Sequence, residues 1–246
     1  MHIHVGTSGW SYKEWKGSFY PQKLPAGAML RYYADRFSAV EVNNSFYRIP
    51  VEGMLEGWAA QVRPEFRFIM KASRRITHFH RLTDRDGSLE YFLRAVQPMG
   101  SRLGPILFQL PPTLEQDLPL LASFLAKLGR RHPAAFEFRH SSWYQDEVYR
   151  LLESHNAAMV AVDEDPDEGP GAPLVVTSSW GYLRLRRNRY PLSTLRAWAD
   201  RLLPLPWEES YVFFKHEEGS PTGPAPALEL KAMLGRTSGD EDHDEA

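Results

Sequence analysis

The chain of 246 residues contains no cysteine. That excludes disulfides, a disulfide-linked partner, thiolate nucleophiles, zinc fingers and cysteine-ligated iron–sulfur clusters. No apolar run approaches the roughly 18 residues a membrane-spanning helix needs. Neither charge sign dominates: 29 Lys+Arg face 31 Asp+Glu, for a formal net charge of −2. Nothing global therefore suggests a nucleic-acid coat or a membrane surface. Phosphate-loop and dinucleotide fingerprints are also missing. "GTSGW" carries glycines without their spacing, so no nucleotide cofactor is expected. The opening "MHIHVGTSGW" enters a strand directly and lacks a charged-then-apolar signal pattern, which makes the cytoplasm the default location.

What is present is ordinary for a globular protein, at 43% hydrophobic and 24% charged residues. The length suffices for a large core. Seven Trp and eleven Tyr invite a search for stacking surfaces. The end, "GDEDHDEA", holds five acids and no Lys or Arg, and without it the body carries about three net positive charges. Residues 236–246 are expected to form a solvated, disordered tail behind one domain over residues 1–235.

Short apolar stretches alternate with helical patterns along the chain. "HIHVGTSGW", "AVEVNNSFY", "FRFIMKAS", "GPILFQLPP", "AAFEFRH", "AAMVAVDE", "GYLRLRR" and "YVFFKHE" read as strands. Amphipathic stretches such as "DLPLLASFLAKLGRR" fall between them, and the loop "DPDEGPGAP" replaces one helix. Strict alternation predicts a parallel sheet covered by helices. About eight units predict a single (β/α)8 TIM barrel, with an open doubly wound sheet as the alternative.

"AAFEFRHSSWY" then poses a problem. Ala134, Ala135, Phe136 and Phe138 suit a core, yet Glu137 and Arg139 share one face of the same strand. Unpaired charges are almost never fully buried. The other strands behave alike. The first ends in Ser8 and Trp10, and the second in Glu41, Asn43 and Tyr47. The third ends in Lys71, the fourth in Gln109, and the fifth in Glu137, Arg139 and Trp143. The sixth gives Asp163, the seventh Arg184 and Arg186, and the eighth Lys215 and His216. Strand C-terminal ends are where barrel active sites are built. A buried network that only holds strands together would explain one such pair. Polar groups at the same end of every strand favour a ligand site. The arginines favour an anionic ligand, either carboxylate or phosphate.

The stretches "VGTSGWSYKEWKGSFYP", "VEVNNSFYRIP", "FIMKASRRITH", "LGPILFQLPP", "FEFRHSSW" and "YLRLR" together resemble the YecE-like family, known as domain of unknown function 72. The resemblance runs from Ile3 to about Leu234. It implies a TIM-barrel fold and no established reaction. The family's characteristic polar positions coincide with the rim above and add His78. The family's Asn pair after the eighth strand is replaced here by "FFKHEEG". Its usual His–Gly after the seventh strand is replaced by Arg186 and Arg187.

Several chemistries fit these residue types. The leading expectation is an enzyme, a hydrolase or lyase, acting on an anionic small molecule, for example a phosphorylated one. Glu41, Glu137, Asp163 and Lys71 are the candidate catalytic groups. Ser8, Asn43, His78, Gln109, Arg139, Arg184 and Lys215 would bind substrate, with Trp10, Tyr47 and Trp143 as walls. Proton abstraction or lyase chemistry needs a base and an electrophilic cation, which Lys71 beside Glu41 or Glu137 would supply between them, and cations around Lys71 also open Schiff-base chemistry. Glycoside hydrolysis would need Glu41 or Glu137 as a protonated acid, which neighbouring cations oppose. A metal-dependent phosphodiesterase or nuclease would hold a divalent ion, Mg²⁺ or Mn²⁺, on Glu41, Glu137 and Asp163. A non-catalytic barrel binding a ligand or nucleic acid is the other class. Its nucleic-acid version rests only on "RLRRNRY" and "KASRR". "HIH" at the start lies at the opposite strand end, and "HFH" (His78 to His80) reads as a loop or helix-start feature.

Overall fold

The computed structural model describes residues 1–169, 171–215 and 224–236. His216 and the tail from residue 237 lie outside the described residues. Among the described residues there are eight parallel strands: β1 His2–Thr7, β2 Ala39–Val42, β3 Arg67–Met70, β4 Ile106–Gln109, β5 Ala134–Glu137, β6 Ala158–Asp163, β7 Trp180–Leu185 and β8 Glu209–Phe214. Seven helices alternate with them: α1 Met29–Ala34, α2 Glu52–Ala59, α3 Ser88–Val96, α4 Leu118–Leu128, α5 Asp146–Ser154, α6 Leu192–Leu202 and α7 Pro224–Arg236. Between β6 and β7 the described residues hold only a single 3-10 turn, Pro166–Glu168, where the sequence predicted a loop. No helix of the described residues is long and apolar enough to cross a membrane.

The expected closed (β/α)8 TIM barrel is not what the chain forms. The ladder is divided into a six-stranded half-barrel sheet, in the order β1-β8-β7-β6-β5-β4, and a separate two-stranded sheet of β2 and β3. This is an α/β fold with two breaks, and each break has a local cause. Between β1 and β2, the Thr7 N–H does not reach a β2 carbonyl. It donates instead to the Tyr33 hydroxyl at 2.8 Å, which donates onward to the Ala39 carbonyl at 3.1 Å. A side chain thus stands where a ladder bond would be. Gly6 lets the two backbones approach there, because a Cβ would collide with the Ala39 carbonyl. Between β3 and β4, Pro105 has no N–H to offer, and the Ile106 N–H turns to Pro133 ahead of β5. Only isolated bridges remain at the two seams, Ser8 with Glu41, and Phe68 and Lys71 with Leu103 and Leu107.

Both faces of the strands are buried, as a helix-covered parallel sheet requires. α4 shows how the outer layer forms. Asp117 caps it by accepting the Leu120 N–H at 2.9 Å, and Gly129 (φ 65°) ends it. Leu121, Phe124, Leu125 and Leu128 recur at helical spacing and are buried. Phe124 meets Phe108 edge-on, and Phe108 stacks on Phe136 across β4 and β5. Those outward rings fix the register, so the next residues, Gln109 and Glu137, pair on the inner face.

Tyr33→Phe would orphan the buried Thr7 N–H and Ala39 carbonyl at the first seam. We expect a loss of about 1–3 kcal/mol in urea-unfolding free energy. An unchanged value would show that this hydroxyl does not hold the seam.

Candidate functional site

Strand register brings the charged residues together. Gln109 pairs with Glu137, and the isolated bridge from Lys71 to Leu107 puts Lys71 on the same inner face as Gln109. Arg184 sits at the inner face of β7. Its guanidinium donates to Glu137 Oε2 at 2.6 Å and to Glu41 Oε1 at 2.8 Å. One arginine therefore joins the six-stranded sheet to the two-stranded one. Glu41 is completed by Ser8 and by Tyr182, whose hydroxyls donate at 2.8 Å each. Glu137 is completed by Gln109 Nε2 at 2.7 Å and Arg139 Nε at 3.0 Å. Glu41, Glu137 and Arg184 are 0%, 1% and 4% exposed, which makes the pairing obligatory.

The electrostatics follow from burial and pairing. Burial alone would raise the Glu41 carboxyl; Arg184, with the Tyr182 and Ser8 hydrogen bonds, outweighs this and holds it below its ordinary range. Burial likewise opposes ionisation of Glu137, and Arg184 and Arg139 overcome it to depress the carboxyl strongly. Burial would lower Arg184, but Glu137 and Glu41 raise it. Neither carboxyl is a proton donor at neutral pH.

Lys71 differs. Its Nζ donates to Gln109 Oε1 at 2.8 Å and lies 4.2 Å from the Phe46 ring centroid. Among the described residues no carboxylate lies within ion-pair distance of it. Burial, followed by the nearby Arg184 charge, lowers its pKa to about 8. His78 meets the same Phe46 ring edge-on at 4.9 Å, and its Nδ1 pairs with the Thr77 hydroxyl at 2.9 Å. Burial and the Lys71 and Arg139 charges lower its pKa, so the imidazole is neutral at pH 7. The segment carrying it is unusual. A π-turn spans Arg75–Phe79, and Arg81, Leu82 and Asp84 all hold positive φ. Three such residues in a four-residue stretch are costly, and strain of this kind collects at functional sites. The buried Asp84 secures it by accepting the Leu89 N–H and pairing with Lys127.

Among the described residues Arg139 gives only its Nε–H, to Glu137. Its terminal NH₂ groups have no partner among the described residues, and its side chain is 34% exposed. It lines a cavity of about 400 Å³ with Glu137, His140, Tyr144 and Glu164. Arg186, two residues after Arg184, pairs with Glu164 at 3.0 Å on the same rim. Arg184 Nε and Asn43 Oδ1 are buried with no partner among the described residues.

Other expected residues are placed elsewhere. Register decides Asp163: Val162 pairs with the inward Arg184, so Asp163 points outward. There it accepts from Trp198 Nε1 at 3.0 Å and from Arg187 at 2.8 Å. The three carboxylates expected to share a metal do not converge. Among the described residues no three His, Asp or Glu side chains could hold one. Trp143 is fully buried, stacked on Phe138 and donating to the Leu114 carbonyl at 2.7 Å. It braces the β5 exit from behind and is not a pocket wall. Trp10 and Asn43 line a second cavity, of about 420 Å³, with Trp58 and Tyr12. Tyr47 is 69% exposed, with Arg74 over its ring. Lys215 lines a third cavity with Arg187, Tyr190 and Phe214. His4 sits at the other strand end between Ser38 and Glu209, and His80 pairs with Asp86. Tyr182 and Phe46 were not picked out from the sequence. Tyr182 had a usable signal, being two residues before Arg184 and hence on its face.

The family described as "Protein of unknown function DUF72" matches residues 4–245. The chain belongs to it. Among curated DUF72 relatives, the UPF0759 protein YecE of Escherichia coli O157:H7 is 28% identical over 171 residues, 67% of this chain and 60% of that protein. The match thus spans less than two thirds of that relative's length. The UPF0759 protein YunF of Bacillus subtilis is 28% identical over 190 residues, 72% of this chain and 66% of that protein. A DUF72 protein of Thermotoga maritima superposes with a TM-score of 0.81 at 29% identity, covering 96% of this chain and all of that one. One from Enterococcus faecalis gives 0.79 at 20% identity, covering 95% of each chain. None of these names carries a reaction or a substrate.

Arg184→Met would leave Glu41 buried without its ion-pair partner and Glu137 with Arg139 alone, at a cost of about 3–5 kcal/mol near pH 7. In the wild type both folded-state carboxyls titrate below the ordinary 4.5, so their stabilisation is present above that pH and lost as pH falls through the folded values. In the variant the largest influence opposing burial is gone, so both carboxyls shift upward from their wild-type values and protonation relieves part of the defect. The gap between wild type and variant should narrow below about pH 4.5 in urea titrations. A gap independent of pH would contradict the ion-pair account.

Proposed function

We propose that this site binds a small anion and performs proton-transfer or lyase chemistry on it, with Lys71 as the reactive base. The observation that carries the reading is the pair of unspent cations beside Glu137 and Gln109. Among the described residues the two terminal NH₂ groups of Arg139 have no partner and the Lys71 ammonium has no carboxylate partner. A planar fork next to a point charge suits a carboxylate or phosphate. Around it, Lys71, Arg139, Arg184 and Arg186 oppose Glu41, Glu137 and Glu164, so the cluster carries one positive charge more than negative when all are ionised. A bound monoanion would balance it.

The chemistry follows from which groups can change protonation. Glu41 and Glu137 are held ionised and fully hydrogen-bonded, so they position Arg184, Ser8 and Gln109. Lys71, with a pKa of about 8, is neutral in roughly a tenth of molecules at pH 7 and half at pH 8. His78 is a neutral imidazole beside the same ring. An acid–base pair tuned towards neutrality is what proton abstraction from an anion needs. Hydrolysis by paired carboxyls has no protonated member here to act as acid.

Arg139→Ala tests the reading. The wild type should show saturable thermal stabilisation by phosphorylated metabolites or polycarboxylates at low ionic strength. The variant should stay folded, because its ion pair is a third exposed, and should bind at least about tenfold more weakly. An absence of saturable stabilisation across such a panel, or equal binding by the variant, would reject an anion site.

A further inference from the structure

We infer that Lys71 forms an imine with a 2-oxo acid whose carboxylate is held by Arg139. The inference rests on the anion site just proposed and narrows its ligand to a carboxylate carrying an adjacent carbonyl. Three observations converge on it. First, Lys71 Nζ rests on a neutral amide and an aromatic face instead of on a carboxylate. An ammonium placed to hold a strand together would have an acid beside it, and two acids in this cluster are given to Arg184 instead. Secondly, Lys71 and Arg139 both border the Glu137–Gln109 pair: Lys71 bonds to Gln109, and Arg139 and Gln109 share Glu137 Oε1. A carboxylate with an adjacent carbonyl is the simplest ligand that offers one group to the fork and another to the amine. Thirdly, His78 shares the Phe46 ring with Lys71, which sets a neutral imidazole beside the amine. Cations packed round a half-buried lysine also favour its neutral, nucleophilic form.

The step balances without any further reactant. The lone pair of the neutral Lys71 amine forms the C–N bond to the carbonyl carbon. The carbonyl oxygen leaves as water with the two amine protons, and the imine nitrogen takes one proton from solvent. In this step His78, which packs on the same Phe46 ring as Lys71, would shuttle protons between nitrogen and oxygen as the carbinolamine collapses. The protonated imine then draws electrons from the α-substituents, which is the activation that lyase chemistry on a 2-oxo acid uses.

The experiment is reductive trapping of the full-length protein with borohydride in the presence of pyruvate or 2-oxoglutarate, followed by peptide mapping. The expected result is a single reduced adduct on Lys71, absent with lactate, which has the carboxylate but no carbonyl. Lysines such as Lys13, Lys16 and Lys23 on the same protein serve as internal controls for random labelling. Lys71→Arg keeps the charge but cannot form an imine. It should lose the adduct. Adducts spread over surface lysines, or none on Lys71 while lactate and pyruvate both stabilise the wild type, would overturn the imine and leave the anion site standing. No adduct together with no stabilisation by either acid or by the wider anion panel would overturn both. Mapping on the unmutated protein keeps the outcome readable even if Lys71→Arg fails to fold.

Discussion

A single guanidinium lies between two carboxylates in the interior of this protein, and much of the architecture serves it. Arg184 comes from the six-stranded sheet, Glu137 from a strand two places along the same sheet, and Glu41 from the two-stranded sheet. Each charge would be untenable alone at this depth. Together with Tyr182, Ser8 and Gln109 they form a hydrogen-bonded unit that fixes how the two sheets meet. The backbone ladder is interrupted at that meeting, so side chains carry the connection: Tyr33 at one level and Arg184 with Glu41 at another.

Fixing the carboxylates with Arg184 decides which cations remain available. Arg139 touches Glu137 with one nitrogen only, and Lys71 reaches the acids only through Gln109. Two bases at the rim have partners too weak to satisfy them, in a region where burial makes weak partnering expensive.

Much of this was legible in the sequence, because a charge two residues from another within an apolar run has few explanations. Glu137 with Arg139, and Glu41 with Asn43, pointed to a shared interior face, and Arg184 and Lys71 followed from strand ends. The rest needed register. β6 is apolar on both faces, so nothing in "AAMVAVDE" says that Asp163 turns outward to Trp198. Trp143 looked like a stacking surface because aromatic residues serve pockets and cores alike. The division of the sheet was invisible for a subtler reason. Eight strand–helix units have the same pattern whether their ladder closes or not, and the seams depend on a tyrosine hydroxyl and one proline. The YecE-like resemblance identified the family correctly and led to the wrong sheet topology for this chain.

The order of strands has a bearing on how the chain emerges during synthesis. β1 pairs with β8, so the first strand made waits for the last before its edge is covered. Glu41 meets its guanidinium only after a further 143 residues. Contacts so distant in sequence form late and slowly. Until then the nascent chain presents an uncovered N-terminal strand and an acid with no counter-ion, whereas β4 to β7 can assemble as neighbours arrive. Assembly would thus begin with strands that pair with their sequence neighbours, β2 with β3 and then β4 through β7, and reach β1 last. The Glu41–Arg184 contact would act as a late checkpoint, satisfied only when the seventh strand is in register.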